Sequence, residues 1–69
     1  MVAVTVERIT ALLMDALSAS GYVKPRAAAS TEEKVRRLVR RLRIGPGDAE
    51  LLLGMLRQVV WKLRSNAIE

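Results

Sequence analysis

Six of the ten residues from Lys34 to Arg43 are basic, and no acidic residue interrupts them. Side chains of this kind perform binding chemistry. A guanidinium is a planar, permanently charged fork that donates paired hydrogen bonds to phosphate and stacks on flat rings. The four non-basic residues, Val35, Leu38, Val39 and Leu42, fall at i, i+3, i+4 and i+7, the spacing of one apolar stripe on an α-helix. Lys34, Arg36, Arg37, Arg40, Arg41 and Arg43 cover the rest of that helix. A segment so patterned is anchored along one edge and offers a cationic surface suited to a polyanion. Arginine outnumbers lysine five to one in this block, which favours nucleic acid over a generic acidic surface.

Other chemistries are excluded by residue type. The chain has no histidine and no cysteine, so imidazole bases, nucleophilic dyads and thiolate metal sites cannot be built. The carboxylates are scattered, and the adjacent Glu32 and Glu33 are expected to compensate a helix dipole rather than to work as a hydrolytic pair. Gly45-Pro46-Gly47 lacks the lysine and hydroxyl residue that complete a phosphate loop, and reads as a turn. No catalytic residue, no metal ligand and no cofactor-binding residue is expected in these 69 residues.

Three helices must position the basic block. The first is expected over about residues 5–20, with Val6, Ile9, Leu13, Ala16 and Leu17 as its apolar stripe. Gly21 follows as a left-handed terminator, and Tyr22 and Val23 are expected to fold back over the last turn. Pro25 opens a connector running to Ala29. Ser30, with Glu33 three residues later, fits a capping box for a second helix over 31–43, and Glu33 can pair with Arg37 one turn on. Gly45-Pro46-Gly47 stops that helix, and Asp48 is the expected N-cap of a third over 48–65. Its main stripe reads Ala49, Leu52, Leu56, Val59 and Leu63. Leu51, Leu53, Met55 and Val60 make it apolar on other sides too, as in a helix that is central or shared with a second chain. Trp61 is expected to fill core or interface space. Gly54, costly inside a helix, is expected to accept a close backbone approach.

The chain is long enough for one small domain, and 51% of its residues are apolar, enough to fold. The fold class is therefore all-α, a small bundle of three helices. Residues 1–4 read as the end of a linker, 5–65 as the domain and 66–69 as a tail. Residues 21–47 hold eight basic and two acidic residues, so all of the excess behind the net charge of +5 lies there. No apolar run is long enough to span a bilayer, the N-terminus lacks a secretory pattern and cysteine is absent. A cytoplasmic protein without a membrane partner is expected.

In this order and spacing, Leu17, Gly21-Tyr22-Val23-Lys24-Pro25, Lys34-Val35-Arg36-Arg37-Leu38, Ile44, Asp48, Leu52 and Gly54-Met55-Leu56 resemble one known setting. It is the C-terminal helical domain of the TrmJ-like tRNA (cytidine/uridine-2′-O-)-methyltransferases of the SPOUT class. The similarity runs from Val6 to Leu63. It departs from the family pattern at Leu53, where the family carries arginine, and at Asp48, where glutamate is usual.

The resemblance implies a parent enzyme with a dimeric, knotted α/β domain that binds S-adenosylmethionine and methylates a ribose 2′-hydroxyl at the edge of an anticodon loop. It implies for this chain a tRNA-binding accessory role, with phosphate contacts at Arg36, Arg37, Arg40 and Arg41, supported by Lys34 and Arg43. Two alternatives stand beside it: a helix-turn-helix DNA-binding regulator and a helical dimerisation module forming a homodimer.

Overall fold

The computed structural model describes residues 3–68. They form three α-helices, α1 (Ala3–Ala19), α2 (Ala28–Leu42) and α3 (Pro46–Ile68), with a 3₁₀ turn at Pro25–Ala27 ahead of α2. The three-helix bundle is the all-α fold that the apolar periodicity predicts, and no strand occurs among the described residues. Every helix starts earlier than expected, and α3 also ends later. Residues 3 and 4, expected in a linker, belong to α1, and 66–68, expected in a tail, belong to α3. Residues 1, 2 and 69 lie outside the described residues.

Helix α1 is the shared partner. It packs along both α2 and α3, which make little contact with each other. The core is a cluster of Val6 and Ile9 from α1, Val39 from α2, and Ala49 and Leu53 from α3. Ile9 is fully enclosed. Leu12, Leu13, Val35, Ile44, Leu52 and Leu56 pack half-buried around that cluster. On α3 the buried edge runs through Ala49, Leu53 and Leu56, while Val59, expected on the main stripe, is exposed. A helix apolar on every side gives periodicity several equivalent solutions, and docking against α1 selected the one containing Leu53.

The helix ends show where local rules hold and where they yield. Gly21 adopts φ +85°, the left-handed conformation that costs glycine nothing. Its N–H donates to the Ser18 carbonyl at 3.1 Å, and the Val23 N–H donates to the Leu17 carbonyl at 3.1 Å. Only Val23 makes the expected hydrophobic closure and is buried; Tyr22 points out at 77% exposure. The capping box does not form. Helix α2 starts at Ala28 behind Ala27, and Ser30, already one turn in, donates its hydroxyl to the Ala27 carbonyl at 3.2 Å. Proline fixes the φ that starts a helical turn, and the Ala27 N–H bonds back to Lys24 at 3.0 Å. The helix is thereby nucleated before any side-chain cap is needed.

At the head of α3, Pro46 rather than Asp48 is the first helical residue, the position where a missing N–H costs least. The Ala49 N–H donates to the Gly45 carbonyl at 2.8 Å. Asp48 lies in the first turn, close to the positive end of the dipole.

Two residues offer direct stability tests. Thr10 is 1% exposed, and its hydroxyl has no hydrogen-bond partner among the described residues. Leaving such a group unpaired costs about 1–3 kcal/mol, so Thr10→Val raises the unfolding free energy by roughly 1 kcal/mol or more in urea titration. Gly54 meets nothing within 4 Å of an added Cβ, contrary to the expected close approach. Gly54→Ala stabilises the chain by about 1 kcal/mol through helix propensity alone. Both changes are read as shifts in denaturant midpoint at constant slope.

Candidate nucleic-acid interface

The five basic residues of α2 divide into two groups according to helical phase. Arg36 lies on the flank facing α1 and is only 17% exposed. Its Nε and Nη2 donate to the two carboxylate oxygens of Glu7 on α1, at 2.7 and 3.0 Å. Nη2 also donates to Glu32 at 2.8 Å, and Nη1 to Glu33 at 2.7 Å. Four hydrogen bonds to three carboxylates nearly exhaust the five donors of a guanidinium.

Arg36 is therefore not the free phosphate ligand that the sequence implied; it ties α2 to α1. Glu32 and Glu33 likewise do other work than expected. Because α2 starts early they lie past its first turn, and Glu33 bonds Arg36 rather than Arg37.

The hydrogen bond from Arg36 is the main reason the Glu7 carboxyl titrates below its ordinary value; the charges of Arg36 and Arg40 add to the effect and partial desolvation opposes it. Arg36 is held in its charged form by hydrogen bonds to Glu7 and Glu32. The second ion pair between helices, Arg64 with Asp15 at 3.4 Å, is exposed on both sides and contributes little.

Lys34, Arg37, Arg40 and Arg41 occupy the outward arc, which begins at Arg40, one turn beyond Arg36. All four are exposed, and none forms an ion pair among the described residues. Together they line a shallow concavity of about 410 Å³. With successive residues turned by roughly 100°, their order around the helix is Arg40, Arg37, Arg41, Lys34. Beyond Lys34 come the exposed Leu38 and Leu42, which the sequence stripe had assigned to the interior. Only Val35 and Val39 carry the apolar attachment of α2.

Arg43 ends the helix at φ 49° and ψ 52°, a left-handed conformation that costs a non-glycine residue about 1 kcal/mol or more. Its side chain is exposed and also outside any ion pair among the described residues. Five of the six expected site residues are thus exposed and outside any ion pair among the described residues, four of them lining one concavity, and the sixth is structural.

Tyr22 is the residue whose placement the sequence reading missed. It lines a second concavity, of about 450 Å³, with Leu17, Thr31, Lys34, Val35 and Leu38. The available signal was that Val23 alone could close the helix. Trp61 is also exposed, which removes it from the core. No group of three or more potential metal ligands occurs among the described residues, and none of their helices is long and apolar enough to cross a membrane. Comparisons with protein families, curated proteins and solved structures find no match to this chain.

The Arg36 cluster makes a pH prediction. A carboxyl whose proton affinity is lower in the folded state stabilises that state fully above its ordinary value, 4.5 for Glu7. The contribution drains away as pH falls through the lower folded value. Resistance of the native chain to chemical unfolding should therefore fall as pH drops below about 4.5. Glu7→Gln should be less stable at neutral pH and lose less on acidification; an unchanged slope would remove Glu7 from the linkage.

Proposed function

We propose that this chain is the tRNA-binding accessory domain of an S-adenosylmethionine-dependent tRNA or rRNA ribose 2′-O-methyltransferase, acting in the cytoplasm. The observation that carries the reading is the outward arc of Lys34, Arg37, Arg40 and Arg41, none of them in an ion pair among the described residues, with the exposed Arg43 just past the helix end. Uncompensated like charge on adjacent turns opposes folding slightly and attracts a polyanion strongly. The sequence resemblance to the TrmJ-like helical domain supplies the specific polyanion. In this reading α2 grips the phosphate backbone without reading bases. The methyl donor and the reacting 2′-hydroxyl meet in the knotted domain of the parent enzyme. S-adenosylmethionine is the cofactor of that domain, not of these helices.

The arrangement of α2 and α3 weighs against a helix-turn-helix regulator. In that motif the second helix enters the major groove with polar residues, whereas α3 exposes Leu51, Met55 and Val59. The same three residues, one turn apart on α3, favour a homodimer contact there. That face belongs to a different helix from the cationic arc, so dimerisation and RNA binding are compatible.

Anisotropy titrations with tRNA, duplex DNA and heparin test the reading. Tight binding with preference for tRNA is expected, with about four phosphate contacts giving a log–log salt slope near −3. Arg37→Glu with Arg41→Glu should weaken tRNA binding by about 100-fold or more. Helicity by circular dichroism should stay unchanged, because neither residue joins the Arg36 cluster. Preference for duplex DNA, or tRNA affinity indifferent to the double substitution, defeats the proposal.

A further inference from the structure

The geometry points to a seat for one unpaired nucleobase on Tyr22, at the edge of the cationic groove, so that the RNA segment bound here is single-stranded or looped and not duplex. The inference rests on the phosphate-binding reading above and goes beyond it, because phosphate contacts alone are indifferent to whether bases are paired. It begins with an aromatic ring that folding does not use. Tyr22 is 77% exposed, while its neighbour Val23 is 6% exposed and closes helix α1.

The backbone around the ring is nevertheless fixed. Gly21 reverses the chain at φ +85°, and the Tyr22 N–H donates to Ser20 Oγ at 3.4 Å. The Val23 N–H is held by the Leu17 carbonyl at 3.1 Å. An exposed ring on an anchored backbone loses little freedom when something stacks on it.

The surroundings of the ring suit a base. Leu17, Val35 and Leu38 give the 450 Å³ concavity an apolar floor, and Thr31 supplies a hydroxyl that can donate or accept. Lys34 lines this concavity and also the arginine-lined one, so the two adjoin at that residue, one end apolar and aromatic and the other cationic. From Thr31 to Arg41 the two follow α2 for about 15 Å, enough for a short run of nucleotides. A base on Tyr22 would place its own phosphate at Lys34 and the following ones towards Arg37 and Arg41. Bases inside an A-form helix are stacked on each other and cannot reach the ring; only a splayed base can. Aromatic side chains serve in this way on many single-strand-binding surfaces, tolerating any base because each has a π-face.

The test uses the whole 69-residue chain and three fluorescein-labelled probes: single-stranded oligouridine, an RNA hairpin with an unpaired loop, and a blunt RNA duplex. Tyr22→Leu keeps an apolar side chain and removes the π-face, and Tyr22→Phe keeps the π-face. Tyr22→Leu is expected to weaken oligouridine and hairpin binding about tenfold, with duplex affinity and the salt slope unchanged. Tyr22→Phe should restore binding to the native level. In a Trp61→Phe background, where Tyr22 is the sole tyrosine and no tryptophan remains, oligouridine should quench tyrosine emission.

Equal binding of the single-stranded probes by native chain and Tyr22→Leu overturns the base seat. So does a loss shared by the duplex, or the absence of quenching. If Tyr22→Leu is silent while the Arg37 and Arg41 double reversal abolishes binding, the phosphate reading survives and this one fails. If neither change matters, both fail.

Discussion

Helix α2 is held to the bundle along one narrow edge, and the rest of the molecule's behaviour depends on that attachment. Val39 enters the common core with Ile9 and Leu53, Val35 packs beside it, and Arg36 reaches across to Glu7. Two valines are a small apolar anchor for a helix carrying five cations. Apolar burial of this extent offsets only part of the conformational entropy of ordering fifteen residues. The ion cluster supplies direction as well as attachment. Both oxygens of Glu7 are taken by one guanidinium, and paired hydrogen bonds of this kind restrict rotation about the helix axis as a single contact cannot. With the rotation of α2 fixed, the outward arc is fixed too.

That arrangement separates charges which the sequence presents as equivalent. Arg36 and Arg37 are adjacent letters, yet one is nearly saturated by carboxylates and the other faces solvent unpaired. The hundred degrees between them decides their roles. Periodicity alone could mark Val35 and Val39 as inward. It could not say which of the two flanks of that stripe would meet a carboxylate, because the answer depends on Glu7, twenty-nine residues away in sequence. Non-local pairing of this sort is the part of a site that a single sequence conceals.

What was legible followed from strong local signals. Gly21 and Pro25 separated the first helix from the second, and the 3.6-residue pattern gave three helices; the break before α3 was legible too, although Pro46 and Gly47, expected in the turn, open α3 and the turn itself is residues 43–45. What was illegible had competing local signals. Ser30 and Glu33 match a capping box, but Pro25 starts a 3₁₀ turn that nucleates the helix three residues earlier. On α3 the apolar residues surround the axis, so the choice of Leu53 over Val59 for the interior was set by α1. Leu38 and Leu42 keep perfect helical spacing with Val35 and Val39 yet stay exposed, because α2 and α3 hardly touch and nothing covers that side. Tyr22 was drawn towards closure by its position after Gly21, although a single buried valine suffices there.

The same attachment leaves the recognition proposed for this domain to side chains rather than to a helix terminus. At the positive end of the α2 dipole the Pro25–Ala27 turn stacks on the helix, and the Ala28 N–H, one of its free donors, bonds to the Pro25 carbonyl. The cations instead crowd towards the opposite end, with Arg40 and Arg41 in the last turn and Arg43 just past it. There they offset the negative pole of the dipole, so part of their mutual repulsion is relieved before any ligand arrives. Arg43 makes the trade visible. A glycine at φ 49° would avoid the steric cost of the left-handed conformation, whereas an arginine accepts it and lengthens the cationic surface by one more guanidinium. Local strain and charge repulsion thus gather towards the C-terminal end of one helix, while Val35, Val39 and Arg36 carry the compensating core and ion-pair contacts. A surface built in this way is stable enough to persist unliganded and gains electrostatically when a phosphate chain covers it.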